Sequence, residues 1–135
     1  MEDFFIWMYQ LTHGIQDDPL WDDVYVTAGL AMISLTIIVL FIYYHMLNRY
    51  FINFFKLKHW FIFMIIHSLI AAAVSYLIAT SIVEPIEYTS EFISFAFINL
   101  LYATFFYSLF SLLICWGSPQ AKYTPYKFYS KFNKD

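Results

Sequence analysis

VYVTAGLAMISLTIIVLFIYYHML, residues 24–47, contains no charged side chain. An α-helix rises 1.5 Å per residue, so about 20 apolar residues cross the ~30 Å hydrocarbon core of a bilayer, and this run exceeds that length. Two more uncharged runs follow, at about residues 60–83 and 92–116. In hydrocarbon a backbone must satisfy its own N–H and C=O groups, which leaves the helix as the form these runs take. The fold class is therefore an all-α integral membrane protein with three transmembrane helices.

The charges are sorted around these runs. All seven basic residues, Arg49, Lys56, Lys58, Lys122, Lys127, Lys131 and Lys134, lie between the first two spans or after the third. Nine of the ten acids, Glu2, Asp3, Asp17, Asp18, Asp22, Asp23, Glu84, Glu87 and Glu91, lie before the first span or between the second and third. Basic segments stay on the cytoplasmic side, so the expected topology is N-terminus out and C-terminus in. Asp17, Asp18, Asp22, Asp23, Glu84, Glu87 and Glu91 then form an outer acidic patch, and the basic residues an inner basic face. The net charge of −3 merely averages two opposite faces.

Composition agrees: 61% of residues are hydrophobic, 24% aromatic and 13% charged, against about 25% charged in a typical soluble domain. The chain divides into an outer interfacial segment at 1–23, the transmembrane domain at 24–116 and a basic aromatic inner tail at 117–135. Neither flanking segment is long enough to build a soluble core. Phe 16 and Tyr 12 against Gly 3 and Pro 4 favour AT-rich codons and hence a bacterial, phage or organellar source. The start MEDFFIWMYQ lacks the positive n-region of a signal peptide and the Arg-rich character of a transit peptide. Cys115 is the single cysteine, so an intrachain disulfide is excluded.

Phe4, Trp7, Met8, Leu11 and Ile15 recur at helical spacing, with Gln10 and His13 opposite and Gly14 as a stop. This short helix is expected to lie flat in the outer interface, or against a neighbouring subunit. Pro19 breaks the chain, and Asp22 or Asp23 is placed to cap the first span. Tyr43, Tyr44 and His45 close that span as an interfacial aromatic belt. The second span is expected to stop at Glu84-Pro85, and the third at Gly117-Ser118-Pro119. In the tail, Thr124-Pro125 starts a short amphipathic helix with Lys127, Lys131 and Lys134 on one arc and Phe128, Tyr129 and Phe132 on another.

Four intramembrane polar residues are candidates for function: His67, Asn99, Ser75 and Thr104. An ionisable group inside a span is a functional-site hypothesis by default. His67 lies about 10 Å from the inner boundary by helical rise, level with Thr36, Thr104 and Ser108. It serves either as a neutral imidazole bonded to a neighbouring helix, or in proton transfer, ligand binding or haem ligation with another subunit. Asn99 lies about 10 Å from the outer boundary, too far from His67 to pair, with Ser75 near its depth. Ser68, Ala71, Ala72, Ser75 and Ala79 give the second span small residues at four-residue spacing, a surface on which another helix packs closely. This makes the second span the buried one, packed inside the monomer or at a subunit contact, with the first and third facing lipid or other subunits.

Neither a nucleophile–base constellation nor a P-loop or HExxH motif is present, and three glycines do not build a phosphate cradle. Catalytic, cofactor-binding and metal-binding residues are not expected, and no nucleic acid is expected as partner. The leading expectation is an accessory or scaffold subunit of a larger respiratory, energy-converting or secretory complex. It would sit in the inner membrane of a bacterium or mitochondrion and contact lipid and other membrane subunits. The alternative is a self-assembling pore: three spans with a basic C-terminus inside resemble, in topology, one class of phage holin. A shared cofactor or quinone site using His67 is a third possibility.

Overall fold

The computed structural model describes residues 1–47, 57–83 and 89–115, and within them every regular element is helical. Helix α1 spans Glu2–His13, α2 spans Leu20–Phe41 and continues into a π-helical turn at Ile42–Leu47, α3 spans Leu57–Ile82, and α4 spans Thr89–Cys115. Three 26-residue stretches, Leu20–His45, Leu57–Ile82 and Ser90–Cys115, are long and apolar enough to cross a membrane, with mean hydropathies of 2.3, 2.3 and 1.8. The protein is an integral membrane protein of three packed spans with a fourth, shorter helix against them.

Each long helix begins a turn before its apolar run. Leu20-Trp21-Asp22-Asp23, Leu57-Lys58-His59 and Thr89-Ser90-Glu91 are already helical, because a polar first turn can continue a helix beyond hydrocarbon. Pro19 accordingly starts α2 rather than breaking the chain: with φ −62° and ψ −17° it occupies the N-cap, its ring already set for helical backbone. Asp22 and Asp23 lie inside the first turn, so neither caps the helix. Asp18, one residue before the N-cap, accepts from Leu20 N–H through Oδ1 at 2.9 Å. Gly14 ends α1 as expected, at φ +91°, a backbone region that disfavours side chains.

The core is built on the small-residue stripe of α3. Ser68, Ala71, Ser75 and Ala79 are all buried, and α3 packs through them against both α2 and α4. Close approach of helix backbones replaces the hydrophobic effect as the source of packing energy in lipid. The expectation that the second span is buried holds for the face that carries this stripe together with Trp60 and His67. Phe61, Ile65, Leu69 and Leu77 on its other faces are as exposed as Ile37 and Phe41 of α2 or Phe97 and Phe105 of α4.

Helix α1 departs from its expected placement. It runs antiparallel along α2: Phe5 touches Gly29, Tyr9 stacks on Tyr25 at 5.4 Å, and His13 meets Trp21 at 4.9 Å. One turn forward on α1 is thus matched by one turn back on α2, the register of two helices lying side by side. Its buried row is Phe5, Met8 and Tyr9, whereas Phe4, Trp7, Leu11 and Ile15 are exposed. Both rows are apolar, and the aromatic row with polar ends forms the contact.

Candidate functional site

Among the described residues, four polar junctions lie along the interior of the bundle. At the end carrying Asp17, Asp18, Asp22, Asp23 and Glu91, here the acidic end, His13 joins α1 to both neighbours. Its Nδ1 is 2.8 Å from the Tyr25 hydroxyl and its Nε2 is 3.2 Å from the Glu91 carbonyl. A carbonyl only accepts, so Nε2 carries the proton and Nδ1 takes the Tyr25 O–H. The same hydroxyl stands 3.2 Å from the Gly14 carbonyl, a second acceptor just past the end of α1. Burial pushes the His13 imidazole below the usual histidine range, against the opposing pull of the Glu91 carbonyl and carboxylate. Oε2 of Glu91 is itself buried with no hydrogen-bond partner among the described residues.

About two turns deeper, Asn99 of α4 ties three helices together. Its Oδ1 accepts from the Tyr9 hydroxyl, and its Nδ2 donates to the Ala71 carbonyl of α3 at 3.0 Å. Tyr102 reaches back along α4 to donate to the Met8 carbonyl at 3.0 Å. Ser75 does not pair with Asn99: its hydroxyl donates to the Ala72 carbonyl of its own helix at 2.9 Å. The Ala71 carbonyl and the Tyr9 hydroxyl engage both ends of the Asn99 carboxamide without it.

The third junction contains His67. Thr36 donates its hydroxyl proton to the Met32 carbonyl at 2.7 Å, so its oxygen can only accept from His67 Nε2 at 3.0 Å. This assigns the Nε2–H tautomer and leaves Nδ1 as a lone pair, without a partner among the described residues. The Tyr107 ring lies 5.4 Å from the imidazole, and its hydroxyl is likewise buried and unpartnered among the described residues. Thr104, level with His67 by helical rise, bonds Ser68 at 2.9 Å.

The fourth junction closes the other end. Ser111 Oγ accepts from Trp60 Nε1 at 2.9 Å and shares a 2.6 Å hydrogen bond with the Tyr44 hydroxyl. The wider π-helical turn carries Tyr43 and Tyr44 into the bundle, both buried. They do not form the expected interfacial belt, and His45 alone of the three is exposed, stacked on Phe41 at 4.7 Å.

Between α2 and α3 an open groove of about 240 Å³ is lined by Ala28, Ala31, Ser34, Leu35, Ala71 and Val74. Its walls are almost wholly apolar, the size and chemistry of a lipid-chain contact. Among the described residues, three or more metal-ligating side chains come together nowhere.

Of the charged groups singled out in sequence, Asp17, Asp18, Asp22, Asp23 and Glu91 share the acidic end, and Lys58 is exposed at the opposite end. Glu84, Glu87, Arg49, Lys56, Lys122, Lys127, Lys131 and Lys134 fall outside the described residues, as do the helix stops at Pro85 and Gly117 and the tail helix. Tyr9, His13, Gly29, Tyr44, Tyr107 and Ser111 carry the junctions yet attract no notice as intramembrane polar candidates. For Tyr9, His13 and Gly29 the signal is the facing four-residue rows Phe5-Tyr9-His13 and Trp21-Tyr25-Gly29; Tyr44, Tyr107 and Ser111 have no such pattern. Comparison with protein-family models, curated proteins and solved structures finds no match.

Proposed function

We propose that this chain is a non-catalytic, three-span subunit of a larger membrane complex of the energy-converting or secretory kind, in a bacterial or mitochondrial inner membrane. The acidic end faces out and the basic segments face in, by the positive-inside rule. One observation carries the reading: the buried polar side chains His67, Ser68 and Asn99 bond across helices, while the outward faces present mostly bulky apolar residues. A pore needs a continuous polar face, and these bonds take up the most polar of the side chains that would make one, leaving scattered hydroxyls on the outward faces. Purification in mild detergent is expected to recover unrelated chains in fixed stoichiometry. Recovery of a homo-oligomer alone, leaky when placed in vesicles, would establish the pore instead.

A shared cofactor or quinone site remains as a second reading, favoured by the unpartnered Nδ1 of His67 beside the unpartnered Tyr107 hydroxyl. His67→Leu separates the two. Loss of the assembled complex's activity with assembly intact would favour the shared site.

A further inference from the structure

The position of α1 in the bundle places two carboxylates where lipid does not tolerate them. His13, Tyr9 and Phe5 descend α2 past Trp21, Tyr25 and Gly29, and His13 and Tyr9 descend α4 past Glu91 and Phe95. Continuing either register by less than two turns sets Glu2 level with Met32 and with Tyr102, mid-way along the 26-residue spans Leu20–His45 and Ser90–Cys115. Such a span is ~39 Å long against a ~30 Å core, so its middle lies at least ~10 Å from either boundary however it is seated. A carboxylate side chain is too short to snorkel that far.

Glu2 and Asp3 are exposed on the outside of the bundle, and neither carboxylate has a partner among the described residues. A free amine at Met1 would match only one of the two. Carboxylates at this depth are held by pairing with an opposite charge. Every Lys and Arg of this chain lies outside its spans or, like Lys58, at the very end of one. Among the described residues, where Lys58 alone is a lysine or arginine, a second copy therefore offers no such cation at mid-depth.

We infer that the Glu2–Asp3 end of α1 is an interface for a different membrane-spanning chain that presents a lysine or arginine at the middle of its span. This rests on the reading of the protein as a complex subunit and names the chemistry of one partner. The exposed Phe4 and Trp7 beside the acids supply the apolar surround in which such a pair gains from low dielectric.

The test uses the full chain in its own membrane. A photo-crosslinking phenylalanine analogue at Phe4 is expected to join α1 to a second chain whose span carries a central Lys or Arg. In mild detergent, E2Q/D3N should lower recovery of that chain at least tenfold, while D17N/D18N, altered at the acidic end, leaves it within twofold. E2K/D3K should be restored by placing Glu at the partner's central cation. Adducts with lipid alone or with a second copy of this chain would overturn the inference, as would unchanged recovery with E2Q/D3N. Aqueous labelling of Glu2→Cys in intact membranes as fast as Asp17→Cys would overturn it too, by placing α1 at the surface. Wild-type protein recovered with no other chain refutes the subunit reading itself, whereas partner recovery indifferent to Glu2 and Asp3 refutes only this interface.

Discussion

A Cβ added to Gly29 would stand 2.3 Å from Cδ1 of Phe5: the ring of α1 fills the place where α2 would otherwise carry a side chain. Gly29→Ala gains about 1 kcal/mol of helix propensity, but forcing a methyl into a filled contact costs about 1–3 kcal/mol. The net outcome is a loss, and Gly29→Leu should expel α1. Met8→Cys, buried in the docked helix, reports it: maleimide labelling is expected to rise at least tenfold in the Gly29→Leu background. An unchanged rate would mean that α1 does not depend on this contact.

Asn99 holds α1 and α3 at once, through Tyr9 and the Ala71 carbonyl. Interhelical hydrogen bonds in membranes average about 0.6 kcal/mol, with about 1.7 as an upper value. Tyr9→Phe should cost that amount and Asn99→Leu roughly twice it, with a coupling near 0.6 kcal/mol in the double-mutant cycle. Unfolding in mixed micelles measures all four corners, and a coupling of zero would remove the bond.

The His13 imidazole is held below its ordinary value of 6.5 mainly by burial. The docked state therefore binds fewer protons than the undocked one, and stability rises with pH across that window. Docking of α1 should be complete above about pH 6.5 and weaken as pH falls below it. Met8→Cys labelling between pH 8 and 5.5 follows this; the E2Q/D3N background excludes those acids from the profile. His13→Gln is expected to flatten the curve, and a curve unchanged by that substitution would assign the titration elsewhere.

Thr36 keeps its bond to the Met32 carbonyl whether or not His67 is present. His67→Leu therefore leaves no acceptor-starved donor behind, and its cost should stay near 0.6 kcal/mol, well under the several kcal/mol typical of a broken buried charge pair. Thermal unfolding in detergent is the measurement. A loss above about 3 kcal/mol would show that the imidazole carries charge in the bundle.

The three spans were legible because a long uncharged run has one structural solution in hydrocarbon. The α3 stripe from Ser68 to Ala79 was legible too, since small residues at helical spacing have a direct packing consequence, and depth counting brought Thr36 to His67. Helix α1 was not. Hydrophobic periodicity separates core from water, but where lipid lies outside, Phe4-Trp7-Leu11 and Phe5-Tyr9 are equally apolar and periodicity chooses neither. Tyr43 and Tyr44 misled for the same reason, their aromatic character fitting a belt as well as a bundle interior. Asp22 and Asp23 looked like caps because the helix start was drawn at the edge of the apolar run instead of at Pro19.

Helix α1 thickens the bundle over only part of its height. From Glu2 to His13 it lies beside α2 and α4, so among the described residues a section near the acidic end cuts four helices and a section near Lys58 cuts three. The described helices taper away from the acidic end. In a bilayer, lipids beside the four-helix level of these helices meet a broader surface than lipids beside the three-helix level.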